Sequence, residues 1–172
     1  MKKEKLFKLL KALLKNSRRS DRELAKAIGA SQPTVTRNRK LLSKYIRSYT
    51  IVPEFKEIGY EIAAFTFAKA KTYRKEEVDA KLELMRKWAN EHANILFASD
   101  GEGLGKDAII VSVHNNYSKY ADFIRDYAVE FADFITDIQS FIVSLKTGTL
   151  LKPLDLTYLA DDIKESFEES SA

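Results

Sequence analysis

Leu6, Leu9, Leu10, Leu13 and Leu14 recur at i, i+3, i+4, i+7 and i+8, the spacing of one apolar helix face. Lysines fill the positions between, and the helix is expected to end near Asn16. Ser20-Asp21-Arg22-Glu23 follows as a capping box, in which the Ser20 hydroxyl and the Glu23 carboxylate each satisfy the other's backbone amide. It opens a short helix, Asp21 to Ile28, with Leu24, Ala25 and Ile28 on one face, and Gly29 supplies the positive φ that stops it. Ser31 is placed to cap a third helix running to about Lys44, with Pro33 tolerated in its first turn. At about 100° per residue, Val35, Asn38, Leu41 and Leu42 gather on one side. Pro33, Thr36, Arg37 and Lys40 gather on the other, with Gln32 and Arg39 at the margin. Three short helices whose second and third are joined by a tight glycine-containing turn make a helix-turn-helix. The β-rich residues 46–52 (IRSYTIV) are expected to form a wing or a linking strand, which Pro53 ends.

From Ile58 the pattern changes. Residues 62–71 read as a strand, 76–92 as a helix with Val78, Leu82, Met85 and Ala89 inward, and 95–99 as a strand. A glycine-rich turn leads to a continuous apolar strand at 107–113. A helix at 118–130 carries Tyr120, Phe123, Ile124 and Tyr127, with Phe131 next in the stripe, and a strand follows at 138–145. The order β-α-β-β-α-β is the ferredoxin-like arrangement. A terminal helix at 156–167 adds Leu156, Leu159, Ile163 and Phe167. The expected fold is therefore α+β: a winged helix-turn-helix domain at 1–52, a linker at 53–61, and a ferredoxin-like domain with an extra C-terminal helix at 62–172.

Composition sharpens this division. The chain has 172 residues and a net charge of +4, yet residues 1–50 hold 15 Lys/Arg against three acids, and the remainder holds 14 against 22. A basic head on an acidic body is the charge layout of a polyanion-binding module joined to something else. The absence of cysteine excludes a disulfide scaffold, a thiolate zinc site and a thiol nucleophile. No window of about 18–20 residues lacks charge, so no membrane span is expected, and Lys8, Lys11 and Lys15 break up any signal-peptide core.

The string Leu24-Ala25-Lys26-Ala27-Ile28-Gly29-Ala30-Ser31-Gln32-Pro33-Thr34-Val35-Thr36-Arg37 resembles the helix-turn-helix of the Lrp/AsnC (feast/famine) transcriptional regulators, with an archaeal-like cast. Lys56-Glu57-Ile58-Gly59-Tyr60-Glu61 resembles that family's link into its second domain, and Gly105-Lys106-Asp107 sits where it places a Gly-Asp turn between the middle strands. The likeness spans roughly residues 4–146. Two features depart from it. Ser43-Lys44-Tyr45-Ile46 lacks the glycine that usually follows the recognition helix, and the helix after Leu156 is additional.

An outward face of amide, hydroxyl and guanidinium groups has the donors and acceptors of a major-groove reader. Gln32, Thr36 and Arg37 are the candidates for base edges. Ser31, Thr34, Arg39 and Lys40 are candidates for phosphates, with Arg18, Arg19, Lys44 and Arg47 adding flanking charge. The glycine-rich segment 99–107 opens a strand and carries three acids, so it is not a phosphate loop. Its plain reading is a flexible hairpin connection. The resemblance implies instead an effector pocket for an amino acid, held by backbone amides and by Asp100, Gly101, Gly103, Gly105 and Asp107. The aromatic stripe Tyr117, Tyr120, Phe123, Tyr127, Phe131 and Phe134 is expected in the core. His92 and His114 stand alone, so neither a catalytic set nor a metal site is expected, and no cofactor is implied.

These observations predict a cytoplasmic, sequence-specific binder of double-stranded DNA. It is expected to form a homodimer or larger homo-oligomer through the second domain, because alternating apolar residues in 62–68 leave both sheet faces partly apolar. Three alternatives stay open: a sequence-indifferent architectural DNA binder, an enzyme on the same arrangement, as in some tetrapyrrole decarboxylases, and a membrane-surface protein anchored by its lysine-and-leucine first helix.

Overall fold

The computed structural model describes residues 2–71, 75–146 and 150–163. The chain folds as two units, one made of residues 1–52 with 152–172, the other of residues 53–151.

In the first unit, α1 (Lys2–Lys15), α2 (Asp21–Ile28) and α3 (Gln32–Leu42) surround a small core of Leu9, Ala12, Leu13, Leu24, Ala25, Ile28, Val35 and Leu42. The capping box of α2 forms as its sequence dictates: Ser20 N donates to Glu23 Oε2 (2.8 Å) and Glu23 N donates to Ser20 Oγ (3.3 Å). The Ser20 hydroxyl, which also donates to Glu23 Oε2 (2.7 Å), and the Ser20 amide hold the Glu23 carboxyl below its ordinary value. Gly29 ends the helix at φ 65°, a left-handed conformation that a side chain would strain.

Three local expectations are corrected. Ser31 sits at the N-cap of α3, but its hydroxyl bonds to Thr34 Oγ1 (2.8 Å) and caps no backbone amide. Leu41, expected inward, is 51% exposed. The inward stripe is narrower, centred on Val35, Asn38 and Leu42, and Leu41 lies about a quarter turn from it. After α3 comes a single 3-10 turn, Ser43–Tyr45, and residues 46–52 form no strand. Without a partner strand their β-propensity has nothing to pair with, and Tyr49, Ile51 and Val52 stand exposed.

The terminal helix is shorter than expected. It comprises a 3-10 turn, Leu156–Tyr158, and α6 (Leu159–Asp162). Expectations for Phe167 fall outside the described residues. The segment also packs in a different place. It joins the first unit, on α1, where Asp161 Oδ1 lies 2.7 Å from Lys15 Nζ.

The second unit is a four-stranded antiparallel sheet, order β2-β3-β1-β4, from β1 (Ile62–Ala70), β2 (Ile95–Gly103), β3 (Lys106–His114) and β4 (Ile135–Ser144). α4 (Lys75–Glu91) and α5 (Tyr117–Glu130) complete the ferredoxin-like βαββαβ order. On the helix-covered side Trp88 is central, with ring centroids 5.4 Å from Phe123, 5.1 Å from Tyr127 and 5.5 Å from Phe131. Met85 and Ala89 pack against this cluster as expected, and Trp88 was not anticipated there. Val78 falls among residues whose side chains are not described. Of the aromatic stripe, Tyr120, Phe123, Tyr127 and Phe131 are buried, whereas Tyr117 is exposed. Burial pushes the Tyr127 hydroxyl up to about 12.

The opposite sheet face is apolar. Register pairs Phe97 with Val111, Val111 with Phe65 and Phe65 with Phe141, so one row crosses all four strands. Phe97 is 54% exposed and Phe141 68%.

Candidate nucleic-acid interface

α3 is held by α2, and its outward side is left free. The key residue is Asp21, in the first turn of α2. Its Oδ2 accepts from Thr36 Oγ1 (2.6 Å), and its Oδ1 lies 2.7 Å from Arg39 Nε. Arg39 Nη2 also donates to the Arg19 carbonyl (3.0 Å), and Thr36 Oγ1 lies 3.2 Å from the Gln32 carbonyl. Placing a carboxylate near a helix N-terminus is favourable in itself, and here the same group fixes the angle of the next helix.

The eleven residues picked from the sequence therefore separate. Gln32, Arg37 and Lys40 are exposed, and among the described residues their side chains take no hydrogen bond or ion pair. Together with Pro33 and Thr36 they line a shallow open depression. Ser31 and Thr34, bonded to each other, stand at the N-terminal end of α3. Arg18 and Arg19 are exposed in the turn between α1 and α2, and Arg47 is exposed beyond the 3-10 turn. Lys44 Nζ sits 4.8 Å from the Tyr45 ring centroid. Arg39 and Thr36 are different, because both are already engaged inside the motif. Sequence reasoning missed Asp21, which is 15 and 18 residues from its two partners and has no periodic relation to either.

The second predicted group lies elsewhere. Asp100, Gly101 and Gly103 belong to β2, and Asp107 to β3, so the glycine-rich segment is mostly paired strand. The connection is two residues long: Leu104 (φ 54°) and Gly105 (φ 69°), both left-handed, as a tight hairpin with the twist of its strands requires. Gly105 suits that position, whereas Leu104 adopts it 81% exposed, against its preference. Asp107 closes onto the end of β1. Its Oδ1 accepts from Lys69 Nζ (3.0 Å) and its Oδ2 from Ala70 N (2.9 Å), at the register shift between Lys69 and Ala70. The Lys69 ammonium and that amide hold its carboxyl below the ordinary value. Lys106 Nζ pairs with Asp137 Oδ2 (2.6 Å) beside it.

Neither histidine stands in a reactive setting. His92 Nδ1 is 2.7 Å from the Trp88 carbonyl with its ring stacked on the indole, and His114 Nε2 is 2.9 Å from Ser112 Oγ. Among the described residues no three His, Asp or Glu side chains gather as metal ligands, and no helix is long and apolar enough to cross a membrane.

Residues 2–44 match the family model of winged helix-turn-helix DNA-binding domains. Across nearly the whole chain, solved structures superpose on it. A transcriptional regulator from Neisseria meningitidis, solved as a complex with L-Met, is 19% identical over 91% of this chain and 97% of its own, with a TM-score of 0.73. An AsnC family transcriptional regulator from Agrobacterium tumefaciens is 17% identical over 90% and 97%, with a TM-score of 0.71. The chain has the AsnC fold. AsnC of E. coli itself superposes with a TM-score of 0.67 at 18% identity, over 87% of this chain and 95% of its own. No curated protein matches the chain in sequence. The AsnC fold thus recurs here on a sequence that shares fewer than one residue in five with these structures.

Proposed function

We propose that the chain is a sequence-specific, double-stranded-DNA-binding transcriptional regulator of the Lrp/AsnC kind. The observation that carries this reading is the outward side of α3, where Gln32, Arg37 and Lys40 stand free on a helix that Asp21 holds in place. Gln32 and Arg37 read base edges in the major groove. Ser31, Thr34 and Lys40 hold phosphates, and Arg18, Arg19 and Arg47 extend that contact along the backbone. Arg39 and Thr36 position the helix. This divides the predicted set into readers and supports.

The row Phe97, Val111, Phe65 and Phe141 is covered by a second copy of the chain, which presents two recognition helices to two half-sites about one DNA turn apart. An amino acid is the effector class, a reading supported by the L-Met complex of the Neisseria regulator. It binds by the β2–β3 hairpin, through exposed backbone and Asp100. Asp107 supports the hairpin from β1, since both its oxygens are engaged. Such a protein works in the cytoplasm and needs no catalytic group.

Selection of bound duplexes from a random pool, with and without amino acids, tests this. The expected result is a recurring sequence with two related halves, whose enrichment shifts with one amino acid. Equal retention of every sequence, falling steeply with salt, identifies an architectural binder instead. Failure to retain any duplex in dilute buffer overturns DNA binding altogether.

A further inference from the structure

The C-terminal segment has no part in the DNA contacts or the effector site proposed for this protein, yet the chain returns to the head to place it there. Residues 53–151 form the sheet unit, and residues 152–163 belong again to the first unit. The segment is internally organised: Asp155 Oδ1 accepts from Thr157 N (2.8 Å), and Lys152 Nζ sits 3.8 Å from the Tyr158 ring centroid. Ala160 is 1% exposed, and Asp161 pairs with Lys15. Lys15, with Lys11 behind it, holds the Asp161 carboxyl below its ordinary value.

α1 carries a matching seat. Leu9 and Leu13 turn into the three-helix core. Phe7, Lys11, Leu14 and Lys15 fall at i, i+4, i+7 and i+8 and form a second stripe on another side of the helix. Phe7 is 3% exposed although it is not among the residues of the α1–α2–α3 core. Phe7 and Lys15, which pairs with Asp161, thus share one side of α1.

We propose that residues 152–163 are a clasp. Docked on α1, they hold the DNA-reading head by a second chain connection; undocked, they leave it on the first alone. The docked state is weakly held. Among residues 152–163 the alanine is the one fully buried side chain, Leu154, Leu156 and Leu159 remain exposed, and the ion pair is exposed on both sides. A helix of four residues has no stability of its own, so the segment is ordered by its seat or not at all. The two states differ in the freedom of the head. In a dimer that freedom sets the effective concentration of the second head at its half-site once the first is bound. The clasp thereby controls how strongly two heads act together and leaves the contacts of each α3 unchanged. This consequence for DNA rests on the function proposed above, whereas the docking itself does not.

The test uses the full chain and the variants Ala160→Asp, Lys15→Glu and the charge swap Lys15→Glu/Asp161→Lys. Hydrogen exchange of residues 2–16 and ¹⁵N relaxation of the head are measured without DNA. Binding is then measured to duplexes carrying one and two half-sites. Ala160→Asp is expected to speed exchange in residues 2–16 about tenfold and to shorten the tumbling time of the head. It is expected to weaken two-site binding roughly tenfold with one-site binding unchanged. Lys15→Glu gives the same changes at a few-fold, and the charge swap reverses them. Should Ala160→Asp unfold the head outright, the Lys15 pair of variants decides. Parental exchange and tumbling in these variants overturn the clasp, as does equal weakening of one-site and two-site duplexes. If no duplex is retained by the parent, the DNA-binding reading fails, and exchange and tumbling still judge the clasp.

Discussion

Among the described residues, the outward side of α3 and the sheet face opposite the helices are two broad surfaces built oppositely. The first is polar and basic, and its side chains point out from a core of fewer than ten residues. The second is a row of Phe97, Val111, Phe65 and Phe141 standing on strands whose other side is already packed by Trp88, Phe123, Tyr127 and Phe131. A charged helix face gains from a polyanion and loses little in water. An exposed row of aromatics gains from an apolar cover and is costly when left in water. The chemistry of each surface favours a different class of partner, a polyanion for the helix face and an apolar cover for the sheet row.

If the units are as separate as this contrast implies, damage to one core should leave the other standing. Leu24→Ala, at a fully buried site, should destabilise the head by about 2–5 kcal/mol. The single tryptophan, Trp88, lies in the sheet unit, so its fluorescence reports that unit alone. Its melting transition should not move in Leu24→Ala while hydrogen exchange in residues 21–42 accelerates. A matching shift of both would mean that the units unfold together.

The apolar surface is tested next. Phe141→Asp puts a charge at the β4 end of the row without touching the helix-covered core. It should weaken self-association by roughly 100-fold, on the order of 3 kcal/mol, as seen in sedimentation velocity. Unaltered association would show that another surface joins the copies.

Two arginines two residues apart then separate reading from support. Arg37→Ala should lower specific DNA affinity by about 1–3 kcal/mol at unchanged melting temperature. Arg39→Ala should lower the melting temperature as well, because it strips Asp21 and the Arg19 carbonyl of a partner. Identical profiles for the two variants would erase the distinction drawn here.

The smallest effect concerns pH and belongs to the sheet unit. Burial holds the His114 imidazole below its ordinary 6.5. The unfolded chain takes up a proton there that the folded chain resists, so stability falls as pH drops through that value, until the folded imidazole itself titrates. Trp88 melts at about pH 7.5 and about pH 5.5 should show this loss in the parent and a smaller one in His114→Gln. The same loss in both proteins would place its origin elsewhere.

Much of this was legible from residue order. The capping box of Ser20 and Glu23, the stop at Gly29, the polar side of α3 and the βαββαβ order all follow from interactions within a few positions, which spacing records. The failures share one cause. Gly101 and Gly103 suggest a loop, yet both lie within β2, and Gly103 pairs with Lys106 of β3. Residues 46–52 have strand composition and no strand to join. Arg39 looks like a free cation until the angle between α2 and α3 brings Asp21 to it.

Sequence alone settled the three helices of the head, the βαββαβ order and which side of α3 is polar, because periodicity and capping act within one or two turns of the chain. The fold decided what those sides meet: Asp21 against Arg39, the aromatic row in register across four strands, and residues 152–163 back on α1 rather than with the sheet. Contacts between distant residues depend on packing angle and register, and neither is written in local spacing.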